Sequence, residues 1–581
     1  MTVSTRTKLC WAAAAVVVLA AGTVAIWVLE AQRRVTFLNG FDEALTIRMR
    51  STTVTVGPRA HASARVRVGG ADVEVRGADG RVMDRHALLV PSEDSGHAIY
   101  NPLGAAPLYQ VNVVYSSGGD SGGPGPNFRP LAGERFVVVS ADYVLEEAPE
   151  RLDVNSKSVY TVRQHVGVQD GGWKIALGEL NDAPQGFPRA AALARRIAGA
   201  LPGDPAAGSW ALHGTMVLEG PSAAAAAALS VLEQTKSASW AEYAFVRAMR
   251  RAGRAAELRL AYRAQLSKEP GSADAAVRLA RVQSRDEAEP VLRAAFAAHP
   301  DDKGVMTALA RIALQTGRPA EAADLYAHLA EKDDADVVVG LPYALALVRA
   351  GRLDEALRVT LVRATSKDAN AFDVARYVQV ARVPGAKPLR KTEEVVAQWA
   401  KGRDGAVEWL AALLGDDPPA KHGTFSPVET VTLAIHQAAK RDPERALALC
   451  RAAETGALTQ LGDETTLLLT LEAWRTGDRA LFDRLYAATS VGLSADALCA
   501  WVDRGEEPVD GWRIDAGERA AVLLARARRL AAAGDGGEAA KGEALRADPL
   551  AGLATVAARH WPAPPRAAPT VRLVLVTAPA P

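Results

Sequence analysis

The sequence predicts a multidomain chain: an N-terminal transmembrane helix, an all-β sandwich-like domain and an all-α solenoid of helix pairs. Three observations carry that expectation. An uncharged apolar run occupies residues 9–29, period-two alternation fills residues 34–180, and Ala/Leu/Arg-rich segments at helical period extend over 186–560. The 581 residues are 49% hydrophobic and 23% charged, with 68 basic against 67 acidic side chains, which excludes a disordered polyelectrolyte. At ~100–200 residues per domain the length requires roughly three or four folding units. The basic residues are mostly Arg and form no strongly basic domain, so no nucleic-acid partner is expected. Three cysteines, Cys10, Cys450 and Cys499, are too few for a disulfide framework and lack the Cys/His clustering of a zinc site.

Residues 1–8 form a short tail. The run Leu9 to Leu29 spans about 31 Å as a helix, the thickness of a bilayer core. Arg6 and Lys8 precede it, Trp11 and Trp27 sit near its ends, and Glu30, Arg33 and Arg34 follow. These features predict a single-pass signal anchor with the bulk of the chain outside the cytoplasm, in a periplasmic or otherwise extracytoplasmic position. Thr23 and Ala25 offer small residues for the alternative, a cleaved signal peptide.

From Arg34 to about Leu180 short alternating runs read as strands: Val35 to Leu38, Ala44 to Arg50, Ala64 to Val68, Val73 to Val75, His86 to Val90, Tyr109 to Tyr115 and Arg135 to Val139. Asn39-Gly40, Gly69-Gly70 and Ala78-Asp79-Gly80 punctuate them as turn residues. Their sum is an antiparallel sandwich of no recognised family. Asn101 to Leu108 reads as a loop leading into the strand at Tyr109.

Gly119-Asp120-Ser121-Gly122-Gly123-Pro124 matches the nucleophile signature of chymotrypsin-like serine proteases, in which Ser attacks and adjacent backbone N–H groups hold the oxyanion. The context does not fit. Too little chain precedes Ser121 for a first barrel, and His61, His86 and His97 lack the family's histidine setting. Gly125-Pro126-Asn127-Phe128-Arg129-Pro130 then has loop composition instead of an apolar strand. The stretch from Ser116 to Pro130 is therefore expected to be a loop, with a Ser121 hydrolase as the alternative.

Beyond Gly186-Phe187-Pro188 an internal period appears. Gly317-Arg318 recurs 34 residues later as Gly351-Arg352, and Ala322 recurs as Ala356. With Lys303 as position 1, Leu309 falls at 7, Gly317 at 15, Ala322 at 20 and Tyr326 at 24; from Ser239, Phe245, Gly253, Leu258, Tyr262 and Pro270 fall at 7, 15, 20, 24 and 32. This pattern resembles tetratricopeptide (TPR) repeats, most clearly over residues 239–370. The unit near Ala273 is short in its turn but keeps Leu279, Phe296 and Pro300. Segments 205–238, with its run Ala223 to Ala228, and the helices Val395 to Trp399, Val407 to Leu414, Val428 to Ala439, Arg445 to Ala453 and Thr465 to Trp474 are TPR-like without the full pattern. Gly534, Ala539 and Pro549 suggest a last partial unit.

The resemblance implies a protein partner held on a concave face built from the first helix of each pair. Position 9, inward-facing in the family, carries Arg247, Arg281 and Arg311 and then Leu345; position 13 carries Arg251, Arg285, Gln315 and Arg349. With Tyr243 these seven polar side chains form the candidate partner-binding groove. Such a ladder suits an acidic segment, because the guanidinium fork pairs bidentately with carboxylates. The competing reading is a solvated face, with Arg near helix ends complementing the dipole. The Lys and Asn of the family's carboxylate clamp are absent.

No phosphate-binding glycine loop, metalloprotease helix, calcium loop or dinucleotide fingerprint occurs, and the ten histidines are scattered, so no cofactor, metal or catalytic residue is assigned. Asp301-Asp302 and Asp333-Asp334 sit where acids precede helix N-termini. Cys450 and Cys499 are expected to be small core residues, with a disulfide between them as the alternative. Residues 562–581 read as a Pro-rich tail with a terminal strand, Thr570 to Thr577. The expected function is a membrane-anchored, non-enzymatic interaction scaffold of the bacterial cell envelope. A hydrolase and a polysaccharide-binding envelope protein are the alternatives.

Overall fold

The computed structural model describes residues 32–92, 96–116, 128–149, 160–235, 239–332, 337–403, 405–414, 425–534, 537–548, 550 and 557. The expected anchor 9–29, the Ser121 motif, Asp333-Asp334, Cys10 and the tail 562–581 lie outside them. Among the described residues no helix is long and apolar enough to cross a membrane. The chain forms two compact units, residues 1–248 and 249–581.

The first unit holds the strands in three four-stranded sheets. One has the order β10 (Phe136–Val139), β7 (His97–Tyr100), β1 (Gln32–Leu38), β4 (His61–Arg67). Another has β3 (Thr52–Val56), β2 (Leu45–Met49), β5 (Gly69–Arg76), β6 (Val82–Val90). The third has β11 (Tyr143–Val144), β12 (Tyr160–Val168), β8 (Leu108–Ser116), β9 (Arg129–Pro130). Alternation drives the burial: Val35 and Phe37 of β1, Leu45, Ile47 and Met49 of β2, and Val73 and Val75 of β5 point into one core, while Arg34, Arg48 and Asp72 face water. The sheets are not purely antiparallel, because β1 pairs with β7 in parallel (Val35↔Ala98) and β11 with β12 in parallel. β7 returns beside β1 only after β2 to β6 have been laid down, which lets it run in the same direction.

Ala78-Asp79-Gly80 makes the expected hairpin, with Gly77 N–H donating to Arg81 O over 3.0 Å and Gly80 at φ +79°. Asn39-Gly40 does not, since β1 and β2 belong to different sheets. Buried Asn39 donates instead to Glu43 O (2.7 Å) and Gly57 O (2.8 Å) and accepts from Phe41 N–H (2.9 Å). A side chain on Gly40 would collide with the Ala105 and Ala106 backbone at 2.4 Å, so this crossing requires glycine. Gly69-Gly70 opens β5 instead of closing a turn.

Helices α1 (Trp173–Asp182), α2 (Phe187–Ala200), α3 (Pro205–Glu219) and α4 (Pro221–Thr235) complete this unit. Trp173, Leu177, Leu193 and Ile197 share one core with Val35, Phe37 and Ile47. The helical part of the sequence is therefore divided: residues 187–248 belong to the unit that contains the sheets. α5 (Ser239–Arg251) carries the boundary between the units.

The second unit continues as antiparallel helix pairs: α6 (Ala255–Lys268), α7 (Ala273–Ala280) with α8 (Arg285–Ala298), α9 (Lys303–Gln315) with α10 (Pro319–Lys332), and α11 (Val337–Arg349) with α12 (Leu353–Ala364). Then follow α13 (Ala371–Ala381), α14 (Thr392–Ala400), α15 (Ala406–Leu414), α16 (Pro427–Arg441), α17 (Pro443–Ala452), α18 (Thr455–Thr459), α19 (Asp463–Arg475), α20 (Arg479–Ala488), α21 (Ala495–Arg504), a 3-10 turn (Gly511–Arg513), α22 (Ala516–Ala532) and α23 (Glu538–Ala547).

The expected packing positions of the unit from Lys303 are buried, with Leu309, Ala322 and Tyr326 beside Ala310 and Ala344, while Phe245, Tyr262 and Phe296 of the preceding units are only half-buried. Gly253, Gly317 and Gly351 adopt φ +74°, +75° and +76°, the left-handed turn that lets the second helix fold back on the first. The short unit does without glycine, because Ser284 caps α8 directly and Glu287 reaches back to its N–H. Asp302 caps α9 through the Val305 N–H at 2.9 Å. Cys450 and Cys499 are free and buried; burial pushes both thiols up to about 12.

Candidate functional site

The ladder expected to face a partner faces the chain's own C-terminal part. Asp510, on the loop after α21, pairs with Arg250, and Arg250 Nη2 also donates to Asp510 O at 3.1 Å. Both side chains are buried, 7% and 11% exposed. Arg251 stacks over the Tyr486 ring at 4.2 Å and donates to Thr489 O at 2.5 Å and to Tyr486 O. Trp512 inserts among Val277, Leu292, Val305 and Leu309, with its indole N–H on Gln283 O at 3.0 Å.

Further along, Arg311 donates to Arg513 O (2.9 Å), Gln315 Nε2 to Trp512 O, and Arg349 to Leu314 O (3.2 Å), Arg546 O (3.1 Å) and Ala547 O. Arg513 in turn donates to the Arg281 carbonyl at 3.3 Å. Arg285 lies 3.6 Å from Asp286, with its side chain 39% exposed. Tyr243 is exposed and Arg247 half-buried, both in the first unit. The solvated-face reading thus fails for Arg251, Arg311, Gln315 and Arg349: their donors satisfy carbonyls of polypeptide laid across the repeats.

Closure by α19, α22 and α23 leaves a cavity of about 570 Å³. Its floor is the concave side of the repeats. Arg311 and Gln315 come from α9, Leu345 and Arg349 from α11, and Phe372, Arg376 and Gln379 from α13. Opposite stand Asp463 and Glu464 at the start of α19, Asp515 at the start of α22, and Asp548 after α23. Five arginines (311, 349, 376, 519 and 546) therefore meet five acids (463, 464, 515, 543 and 548) around one space. Burial lowers the pKa of both Arg349 and Arg376 from the ordinary guanidinium value, against the fields of nearby carboxylates. Burial, with the fields of Asp463 and Asp548, raises the Asp515 carboxyl, and burial with the Asp515 and Asp463 charges pushes Glu518 up to about 8. His436, on the same wall, is pushed down to about 4 by burial and by Lys440.

Sequence reasoning found Arg311, Gln315 and Arg349 and missed Arg376 and Gln379. The signal for Gln379 was present: it lies 34 residues after Leu345, as Leu345 lies 34 after Arg311, so the ladder runs one repeat further than read. Arg376 precedes it by three residues on the same helix face. Nothing in the sequence marked Asp510 or Trp512 as groove ligands, because a loop's docking site is a long-range property.

Residues 283–340 match the tetratricopeptide repeat family. The match identifies a repeat segment in this chain. It spans α8 to the start of α11, including the whole α9–α10 pair. No curated protein is significantly similar to the sequence. Among solved structures, a tetratricopeptide repeat protein from Parabacteroides merdae is 12% identical, covering 42% of this chain and 88% of its own with a TM-score of 0.25. The Naa15/Naa10 complex bound to HypK-THB is 15% identical, covering 63% of this chain and 62% of that one with a TM-score of 0.19.

Proposed function

We propose that the chain is a non-enzymatic interaction scaffold of the bacterial cell envelope, held in the membrane by residues 9–29 with its bulk outside the cytoplasm, and that its repeats bind a protein partner through an acidic segment. One observation supports the binding mode above others. One acid of the loop after α21, Asp510, already sits on Arg250 of α5, while its neighbours Glu506 and Glu507 pair with Arg504 and Arg519. A partner segment with an acid at the corresponding place competes with that loop for Arg250.

A labelled peptide of sequence Arg504–Arg513 tests the mode by fluorescence anisotropy. It is expected to bind the Asp510→Ala full-length chain at least tenfold more tightly than the wild type. A version with Glu506, Glu507 and Asp510 as amides is expected to bind neither. Equal binding of acidic and amidated peptides, or none to the variant, overturns the groove reading. Location is tested separately by fusing, after Pro581, a reporter active only outside the cytoplasm and, in parallel, one active only inside. Signal from the inside reporter alone overturns the envelope assignment.

A further inference from the structure

The cavity over α9, α11 and α13 is lined by polar groups that the protein itself leaves without partners. Arg376 donates no hydrogen bond and makes no ion pair among the described residues, although it stands in the field of Asp548, Glu464 and Asp515. Tyr326 Oη, Gln315 Oε1 and Gln379 Oε1 are buried and likewise unpartnered among the described residues. Most buried polar groups in folded proteins are satisfied, so three such atoms beside the unpaired, part-buried Arg376 guanidinium, all around one space, mark a place for something else. Their roles are partly fixed. Gln315 Nε2 is committed to the Trp512 and Ile514 carbonyls, which leaves its Oε1 as an acceptor in need of an N–H or O–H. Arg376 can only donate, and its planar fork suits a carboxylate.

The remaining wall selects among anions. Asp463, Glu464, Asp515 and Asp548 repel a phosphate dianion and favour a positive group beside the carboxylate. Leu345, Phe372, Leu413 and Leu461 offer apolar contact between these polar ends. About 570 Å³ lies within the range of roughly 300–1,000 Å³ common to small-molecule sites. The geometry points to a binding site for a free zwitterion with an apolar body, an apolar α-amino acid or a peptide of two or three such residues. Its carboxylate sits on Arg376 and Tyr326, and its ammonium on Gln315 Oε1 and the acidic wall. This inference does not depend on the protein-partner reading, since it uses the closed form of the groove.

Isothermal titration calorimetry on the full-length chain tests it with L-leucine, L-phenylalanine, Leu-Leu and Leu-Leu-Leu. The controls are 4-methylpentanoate, which lacks the amine, 3-methylbutylamine, which lacks the carboxylate, and inorganic phosphate. At least one zwitterion is expected to bind saturably, and each control at least tenfold more weakly. The free amino acids against the peptides decide which source fills the volume. Arg376→Gln is expected to weaken binding at least tenfold, and Tyr326→Phe, which removes only a hydroxyl, about three- to tenfold. Three outcomes overturn the proposal: no zwitterion binding in the millimolar range, phosphate or a single-charge control binding as tightly as the zwitterions, or unchanged affinity in Tyr326→Phe with an unaltered melting temperature.

Discussion

Replacing Asp510 by Ala tests whether the acidic loop is held on the repeats in solution as it is in the structure. The substitution removes the carboxylate paired with Arg250 and leaves the loop backbone intact, so Arg250 Nη2 keeps its 3.1 Å bond to the carbonyl of residue 510. What remains is a guanidinium only 7% exposed, with its counter-ion gone. Breaking a buried pair from one side costs about 3–5 kcal/mol, because the abandoned charge is neither solvated nor neutralised. At roughly 2 °C per kcal/mol for a unit of this size, the melting temperature of the second unit should fall by about 6–10 °C. Urea denaturation followed by tryptophan fluorescence reads the change, with Trp512 as a reporter beside the altered pair. Adding Arg250→Met should recover part of the loss, and the double-mutant cycle should give a coupling of about 2 kcal/mol or more. A loss below about 1 kcal/mol, or strictly additive single variants, would mean that the pair is solvated and that the loop does not close the groove.

Two further predictions concern the same unit. His436, with Nδ1 3.0 Å from Thr465 Oγ1, is held neutral with its pKa near 4, below its unfolded value of about 6.5, so the folded state resists protonation. Its contribution is complete above about pH 6.5 and is lost as pH falls toward 4; relative to a His436→Gln variant, the wild type should lose about 2 kcal/mol of stability between about pH 7.5 and pH 5, and parallel pH profiles would refute the assignment. Gly317→Ala should cost about 1 kcal/mol by chemical denaturation, a purely backbone effect, because the added methyl meets open space while the residue sits at φ +75°. A neutral result there would show that the turn relaxes without penalty.

The sequence was most legible where local chemistry decides structure. Gly317 and Gly351 announced their turns because a left-handed residue is needed there, and Asp302 announced a helix start because its carboxylate satisfies an orphan N–H. Strands were legible where alternation is clean, as in β1 and β2. They were missed where it is not: β7 is His97–Tyr100, too short and too continuously buried to alternate visibly, and β3 is a run of Thr and Val with little contrast between its faces. The division of the helices was hidden for another reason. Leu193 and Ile197 have the same helical period as any repeat residue, and only the sheet they pack on, through Val35 and Ile47, assigns them to the first unit.

The groove shows how far the residue pattern can be trusted. Repeat positions 9 and 13 suggest donors for an acidic polypeptide, whereas in the structure Arg251, Arg311 and Arg349 donate to backbone carbonyls of the same chain. The one carboxylate, Asp510, pairs with Arg250 beside the ladder, and the carbonyls of residues 486, 489, 513, 546 and 547 are the acceptors of Arg251, Arg311 and Arg349. The consequence for function follows from which donors those contacts consume. Arg250, Arg251, Arg311 and Arg349 are spent on closure, so binding at them in trans must be competitive with the loop and must reopen the groove. Arg376 is not spent, because it faces the cavity that closure creates. The closed groove offers a small cavity lined by both charges, whereas the proposed partner binding requires the groove to open and free its guanidinium forks. A ligand that fills the cavity of the closed form alone stabilises that form by RT ln(1 + [L]/Kd), so under the proposed binding mode affinity for the Arg504–Arg513 peptide should fall as the zwitterion is added.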